Sequence, residues 1–371
     1  MLVWLLQPLP LFARETTPDT AALRAHERGI VSLVRRVEPA VVSVRRFVKD
    51  EKWWADAQKR AVQVTPGWVQ VPERDLVYPH YRPLPGASGV VVSPDGYILT
   101  LNRVLLAPGG DEADIVDVEQ GKDHYQAKIV AREPTIDFGV LKITADHPLA
   151  FVPPGNSRAL EPGSFVMAFG YGEGPERMIL PGVVTQSPDR ECYQDELSAT
   201  YLQTSMTFAG GMLGGPVVDA SGQVVAIASQ RGDSGAKSAS PAGHPGFALP
   251  MSVASAIYES LLARQSRESP WIGVSVLRMS KDARRAAGAP DSIGIQIDNV
   301  FEPSSAATLG LRIGDVIARM QGEDVRTVYD FQRILYAAGV GQDISIEVVR
   351  KGVKLEHTVH IEKRPADAIT R

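Results

Sequence analysis

Cysteine is almost absent from this sequence, and its scarcity excludes several kinds of site. Cys192 is the single cysteine among 371 residues, which excludes an intrachain disulfide bond and any metal site built from several cysteines. The seven histidines are scattered, and the one close pair, His357 and His360, lies in a strand-like run that would point the two rings to opposite faces. The sequence therefore predicts neither a metal site nor a cofactor.

A strong charge bias and a long apolar run are also missing. The formal net charge of −4 is small for this length and argues against a nucleic-acid partner. Residues 1–13 are apolar but lack a basic start, contain Pro8 and Pro10, and are too short to span a bilayer, so no transmembrane helix is predicted. Three interpretations remain open for them: a poor secretory signal, the end of a longer one, or a disordered leader.

What the sequence does contain is a series of short apolar segments separated by turns. Apolar residues first recur at helical spacing between Leu23 and Val37, which predicts an amphipathic helix. From residue 88 onward, short strand-like segments alternate with turn signals such as residues 94–96, 108–110 and 221–222. Because no long helical pattern interrupts them, they favour antiparallel β-barrels.

Three motifs occur in order along this β-rich part. Residues 88–105 read SGVVVSPDGYILTLNRVL, residues 135–143 read TIDFGVLKI, and residues 209–227 read AGGMLGGPVVDASGQVVAI. Together they resemble the segments that carry the catalytic histidine, aspartate and serine of the trypsin-like proteases of the HtrA/Deg family. The resemblance covers residues 29–364. It implies a mainly β fold of two six-stranded antiparallel barrels followed by an α+β PDZ domain.

The residues at the three catalytic positions of that family are Arg103, Asp137 and Leu213. An arginine stays protonated and cannot accept a proton from a hydroxyl group, and a leucine side chain has no lone pair with which to attack a carbonyl carbon. Only the aspartate is retained, as Asp137, and the role of that residue in the family is to orient a histidine that is absent here. The sequence therefore predicts that no catalytic triad is intact and that the chain is a pseudoprotease rather than an enzyme. We further expect Arg103 and Asp137 to form an ion pair between the barrels and Leu213 to fill the former cleft.

An alternative interpretation keeps serine-type endopeptidase activity. It requires a non-standard nucleophile or base, and Thr204, Ser205 and Thr207 are the hydroxyl groups close to the third motif.

The C-terminal part resembles the PDZ domain of the same family. Residues 271–274 read WIGV, the position of the carboxylate-binding loop, and residues 294–325 carry the turn, short helix and strand pattern of the domain. Thr327 and Asp330 form the sequence signature of a capping box at the start of a further helix. The resemblance implies a peptide-binding groove lined by Trp271, Ile272, Gly273, Val274, Phe331 and Leu335. For Val274 and Phe331, a role in the domain core is an open alternative.

These observations predict a leader at residues 1–28, a trypsin-like domain at 29–265 with an insertion at 48–86, and a PDZ domain at 268–364. The insertion, rich in Trp, Tyr and Pro, either reaches a neighbouring subunit or packs on its own barrel. By resemblance, the expected partners are unfolded or C-terminal peptides, an active HtrA-type protease, and further copies of the chain in a homo-oligomer. The expected role is protein quality control in the periplasm or cell envelope.

Overall fold

The computed structural model describes residues 20–62, 77–172, 176–186, 201–229, 246–264, 269–279, 281–289 and 293–365. Its first element is the predicted amphipathic helix, α1 (Thr20–Val37), which buries Leu33 and Val37 and leaves Leu23 exposed. Apolar burial at the C-terminal end of α1 fixes the point at which the chain enters the first sheet. Residues 1–19, and with them most of the predicted leader, lie outside the described residues.

The first half of the trypsin-like region is an eight-stranded antiparallel sheet. Strands β6 (Asp123–Gln126) and β7 (Lys128–Glu133) lie at opposite ends of the hydrogen-bonded order, although only Ala127 separates them in sequence. The sheet must therefore curl until its edges meet, although no ladder closes the seam within the described residues. The strands are β1 (Val41–Lys49), β2 (Tyr81–Pro83), β3 (Ala87–Val91), β4 (Tyr97–Thr100), β5 (Ile115–Gln120), β6 (Asp123–Gln126), β7 (Lys128–Glu133) and β8 (Phe138–Lys142).

The second half is a closed six-stranded barrel with the order β10, β11, β14, β13, β12, β9. Its strands are β9 (Phe165–Tyr171), β10 (Arg177–Gln186), β11 (Leu202–Thr204), β12 (Pro216–Asp219), β13 (Val224–Ser229) and β14 (Gly246–Pro250). The mainly β fold class is confirmed. The difference from the predicted pair of six-stranded barrels lies in the first one, where β2 adds a strand on β1 and the largely exposed β6 pairs only with β5.

The insertion at residues 48–86 contains a helix that the sequence pattern did not indicate, α2 (Glu51–Val62). The last part of the insertion, residues 77–86, packs on the first sheet. The ring of Tyr78 lies 4.8 Å from that of Phe47, and the Tyr78 hydroxyl donates to Asp117 at 3.2 Å. Trp54 lies against His80, with ring centroids 5.9 Å apart. Of the two interpretations of the insertion, packing on its own barrel therefore describes residues 77–86, while Trp68 lies outside the described residues.

Helix α3 (Met251–Arg264) leads from the barrel to the C-terminal domain. The main sheet of this domain has the order β16, β17, β18, β20, β21, and the capping box predicted at Thr327 and Asp330 is present. The strands are β15 (Pro270–Trp271), β16 (Val274–Arg278), β17 (Ile295–Val300), β18 (Val316–Met320), β19 (Glu323–Asp324), β20 (Asp343–Arg350), β21 (Val353–His360) and β22 (Glu362–Lys363). The helices are α4 (Lys281–Ala287), α5 (Ser305–Thr308) and α6 (Val328–Ala338).

A buried polar cluster joins this domain to the trypsin-like region. The hydroxyl of Tyr336, on α6, donates to Oε2 of Glu133 at the end of β7, and Arg364 donates to Oε1 of the same carboxylate at 3.1 Å. Glu133 is only 1% exposed, so it depends on these partners. Burial and the neighbouring carboxylate raise the pKa of Tyr336 well above its ordinary value, which keeps the phenol protonated as a donor.

Candidate active site and peptide groove

Arg103 lies in a short 3-10 turn, Asn102–Leu105, that follows β4. Its Nε is 2.5 Å from Oδ2 of Asp137, and its backbone N–H donates to Oδ1 of the same carboxylate at 2.8 Å. The predicted ion pair is therefore present. It lies within the first sheet rather than between the barrels, because Arg103 follows β4, Asp137 precedes β8, and these two strands are hydrogen-bonded neighbours.

Two other arginines hold this turn in place. Arg46 of β1 donates to the carbonyl oxygen of Arg103 at 3.2 Å and to that of Leu106 at 2.7 Å. Arg132 donates through Nε to Oδ1 of Asn102 at 3.0 Å. Burial lowers the pKa of Arg46, but a guanidinium remains charged in a protein. The backbone that carries Arg103 is thus fixed from both sides.

Asp137 has a backbone conformation that few residues other than glycine adopt, with φ at 56°. Its side chain is 12% exposed, and that of Arg103 is 38% exposed. Burial raises the pKa of Asp137, and the charge and hydrogen bonds of Arg103 act in the opposite direction without cancelling that effect. The guanidinium therefore offsets part of the cost of burying this carboxylate.

Leu213 occupies the turn between β11 and β12 and is half-buried between the cores of the two halves. Its carbonyl oxygen accepts the N–H of Ser88 at 2.9 Å. The next residue, Gly214, has φ at 87°, and a Cβ there would lie 2.3 Å from both the carbonyl oxygen of Ser88 and Oγ1 of Thr100. Glycine is therefore required for the loop to lie this close to the end of β4, the strand that leads to Arg103.

The backbone of this loop also determines which donors face the cleft. The N–H of Leu213 donates to the carbonyl oxygen of Gly210 at 3.2 Å, and the N–H of Met212 donates to that of Ala209 at 2.9 Å. In trypsin-like proteases, the N–H of the nucleophile residue stabilises the oxyanion of the tetrahedral intermediate. In this conformation, the corresponding N–H of Leu213 is engaged inside its own turn.

The three hydroxyl groups considered as alternative nucleophiles have different surroundings. Thr204 is fully buried, and its Oγ1 donates to the carbonyl oxygen of Gly246 at 3.2 Å. Ser205 is exposed, and its Oγ accepts the N–H of Val183 at 3.0 Å. Thr207 is exposed as well. Exposure favours Ser205 and Thr207 over Thr204 as groups that a polypeptide could reach.

Sequence reasoning missed two residues of this site. Oγ of the buried Ser88 donates to the carbonyl oxygen of Gly211 at 2.7 Å and accepts the N–H of Tyr171, and so ties β3 of the first sheet to the loop and to β9 of the second barrel. Tyr201 is 9% exposed and lies close enough to Asp137 and Arg103 for both charges to act on the pKa of its phenol, which burial raises. Ser88 begins the first of the three motifs, but the local sequence of neither residue indicates its partners, because each contact is formed between distant parts of the chain.

In the C-terminal domain, the loop between β15 and β16 presents unused backbone donors. The carbonyl oxygens of Ile272 and Gly273 accept the N–H groups of Ala306 and Phe301, both at 2.9 Å. The N–H groups of Ile272 and Gly273 donate to no acceptor within the described part of the chain. Gly273 has φ at 91°, and a Cβ there would lie 2.0 Å from Cβ of Ser304, so only glycine fits.

The strand that follows this loop, β16, is the edge of its sheet and pairs only with β17 among the described strands. The side chains predicted to line a groove beside β16 lie together, but they are buried. The exposed fractions are 5% for Trp271, 1% for Ile272, 5% for Val274, 3% for Phe331 and 1% for Leu335. In this conformation they form part of the core of the domain, in which α6 packs against β15 and β16.

The described residues contain no helix that is long and apolar enough to cross a membrane. They also contain no group of three or more His, Cys, Asp or Glu side chains placed to hold a metal ion.

Comparisons with known proteins agree with this architecture. Residues 87–227 match the trypsin-like peptidase domain family, and residues 270–361 match the PDZ domain family. A variant of the HtrA-type protease AlgW, solved with a decapeptide, superposes with a TM-score of 0.63 at 25% identity, over 92% of this chain and 99% of that one. The chain belongs to the HtrA/Deg family.

Curated relatives in the family are named as probable periplasmic serine endoproteases, DegP-like. The relative from Pseudomonas fulva (strain 12-X) is 31% identical over 76% of this chain and 56% of its own length. The relative from Pseudomonas putida (strain W619) is 26% identical over 97% of this chain and 73% of its own length. The HtrA/Deg chain described here thus spans little more than half of the first of these relatives.

These names correct one expectation. The prediction that the chain is a pseudoprotease and not an enzyme is wrong, because the proteins that it matches are named serine endoproteases. The prediction weighed only the residues at positions 103 and 213. What those residues do determine is which atoms are present at the two positions: a guanidinium and an isobutyl group.

Proposed function

We propose that this protein acts on polypeptides in the periplasm as an HtrA-type serine endopeptidase, and that its PDZ domain binds exposed segments or free C-termini of those polypeptides. The periplasmic and proteolytic parts of the proposal come from the names of the curated relatives. The part that concerns peptides is supported by the PDZ match and by the similar AlgW structure, which was solved with a decapeptide.

The observation that carries the proposal is the loop at Ile272 and Gly273. Two adjacent backbone N–H groups without an acceptor among the described residues lie at the start of an edge strand, β16. A peptide that adds to the edge of β16 as a further strand would place its terminal carboxylate at those N–H groups. Because the apolar side chains next to these N–H groups are buried under α6, binding would be coupled to a movement of α6. This movement costs free energy and lowers the affinity.

Hydrolysis, if it follows the serine-type route, would use a hydroxyl group outside the three family positions. Of the candidates near the loop, Ser205 is exposed and its Oγ is held by the N–H of Val183. We therefore include Ser205 as the nucleophile to be tested. Association of the chain into a homo-oligomer, and association with another HtrA-type protease, remain proposals that rest on the family alone.

Peptide binding can be measured on the full chain by isothermal titration calorimetry. The probes are an octapeptide that ends in valine with a free C-terminal carboxylate and the same peptide with an amidated C-terminus. We expect the free acid to bind at least about tenfold more tightly, because only it can accept both N–H groups, and a factor of ten corresponds to about 1.4 kcal/mol. Equal affinities would show that the loop does not recognise a terminal carboxylate.

Hydrolysis can be measured by casein cleavage and by labelling with a fluorophosphonate probe. We expect the native chain to cleave casein and to be labelled, and Ser205→Ala to lose both properties. Ser221→Ala, which removes another exposed hydroxyl from a turn of the same barrel, is the matched control and should keep both. Cleavage that survives Ser205→Ala would place the nucleophile elsewhere, and a native chain that neither cleaves nor reacts would contradict the endopeptidase part of the proposal.

A further inference from the structure

The guanidinium of Arg103 is only partly used by the ion pair that holds it. Asp137 is fully engaged by Arg103 itself, since Oδ2 accepts Nε and Oδ1 accepts the backbone N–H. The Nη1 and Nη2 groups of Arg103 make no hydrogen bond to the described residues, and the side chain is 38% exposed. Two parallel N–H donors on the end of a guanidinium match the two oxygens of a carboxylate.

The surroundings of Arg103 also favour binding of a ligand at its free N–H groups. The turn that carries Arg103 is fixed by Arg46 and Arg132, so its donors are held in place before any ligand arrives. The Leu213 loop lies against the same region, because a Cβ on Gly214 would be 3.4 Å from the N of Leu101. Tyr201 is nearly buried and lies close enough to Arg103 for the guanidinium to act on its phenol, and a hydrogen bond to a charged group in such partly buried surroundings is stronger than in bulk water.

From this geometry we propose that the cleft at Arg103 is a second binding site of the protein and that it takes a carboxylate of a bound polypeptide, held by Nη1 and Nη2 of Arg103. The site rests on the proposed function only in that its ligand is a peptide. It adds to that function a preference of the cleft for acidic peptide segments. A serine-protease cleft that carries a neutral histidine and a serine at these positions would not have this preference.

The net charge of the Arg103–Asp137 pair determines how the preference for acidic segments should depend on salt concentration. Asp137 neutralises Arg103 at close range, so the pair has little net charge and attracts a distant anion weakly. Recognition therefore depends on two short hydrogen bonds, and its strength should change little between low and moderate salt concentration. A peptide bound through scattered surface charges would show a steep salt dependence instead.

The test uses amidated, N-acetylated octapeptides of alanine that differ at one central residue, Asp in one and Asn in the other. Amidation removes the terminal carboxylate that the PDZ loop is proposed to bind, so the two sites are measured separately. On the full chain, we expect the Asp peptide to bind at least tenfold more tightly than the Asn peptide.

The variants must keep the cleft folded. Arg103→Gln combined with Asp137→Asn removes the guanidinium without leaving a buried carboxylate unpaired, and it should abolish the preference for Asp. Arg285→Gln, which changes an exposed arginine on α4, is the control and should keep the preference. Arg103→Lys keeps a positive charge beside Asp137 but lacks the two parallel N–H donors of a guanidinium. It should retain only a small part of the preference for Asp.

Two results would overturn the proposal: equal affinity of the native chain for the Asp and Asn peptides, or a preference that survives in the double variant. A direct readout is available if the variants unfold. With arginine labelled selectively with nitrogen-15, the Nη signals of Arg103 should shift on addition of the Asp peptide and not of the Asn peptide. Binding of the valine-terminated octapeptide without any of these effects would leave the PDZ proposal intact and refute this one alone.

Discussion

Replacement of Arg103 by alanine removes the partner of a largely buried carboxylate, and we expect it to lower the free energy of unfolding by about 2 kcal/mol at pH 7. Breaking a fully buried pair costs about 3–5 kcal/mol, and breaking an exposed pair costs less than about 1 kcal/mol. The side chain of Asp137 is 12% exposed and that of Arg103 is 38% exposed, which places this pair between the two limits.

The loss should depend on pH. Burial raises the pKa of Asp137 in the folded protein above its ordinary value of 3.8. The stability contributed by this group is therefore fully present below that value and is lost as pH rises through the folded pKa. Removal of Arg103 raises the folded pKa further, because it takes away the charge that opposes burial. The variant should thus be most impaired at neutral pH and should approach the native chain near pH 3.8.

Urea unfolding followed by circular dichroism between pH 4 and pH 8 measures this effect. The controls are Asp137→Asn and the double variant Arg103→Ala with Asp137→Asn, which complete a double-mutant cycle. We expect the double variant to be more stable at pH 7 than Arg103→Ala, because it carries no unpaired carboxylate. Additive effects of the two substitutions, or a loss that is the same at every pH, would refute the proposed cause.

Three further predictions concern the loop, the domain interface and the family positions. Gly273→Ala should abolish binding of the free-acid octapeptide, because its Cβ would lie 2.0 Å from that of Ser304. Gly310→Ala is the control and should keep binding, since Gly310 has a similar positive φ with open space around it. Binding that persists in Gly273→Ala, measured by titration calorimetry, would contradict this prediction. Tyr336→Phe should cost about 1–3 kcal/mol in urea unfolding, because Glu133 loses a buried donor, and an unchanged midpoint would contradict this. In a Ser205→Ala background, Arg103→His combined with Leu213→Ser should cleave casein about a hundredfold faster than Leu213→Ser alone, because only the former places a base beside the new serine; equal rates would refute the mapping of the family positions.

Local features of the fold could be predicted from the sequence because they depend on neighbours in the chain. The capping box at Thr327 and Asp330 is an example, since both partners lie within one helical turn. The pairing of Arg103 with Asp137 was also predictable, because the family motifs place the two positions together. Its location within one sheet was not, since that depends on the pairing of β4 with β8.

Features that depend on long-range contacts could not be predicted. Tyr336 and Glu133 are 203 residues apart, and nothing in either local sequence indicates that they meet. The closure of the six-stranded barrel and the open seam of the first sheet depend on strand register, which the apolar pattern does not specify. The groove residues were predicted as a set, but a place in the core was an open alternative only for Val274 and Phe331, because one apolar pattern suits both a ligand pocket and a core.

The most direct test of peptide recruitment by the PDZ domain is hydrogen–deuterium exchange of the full chain with and without the valine-terminated octapeptide. The N–H groups of Ile272 and Gly273 have no acceptor among the described residues and should exchange rapidly in the free protein. We predict that the free-acid peptide slows exchange at residues 272–278 and that its amidated form does not. Unchanged exchange in this segment, with protection elsewhere in the chain, would contradict the proposed mode of binding.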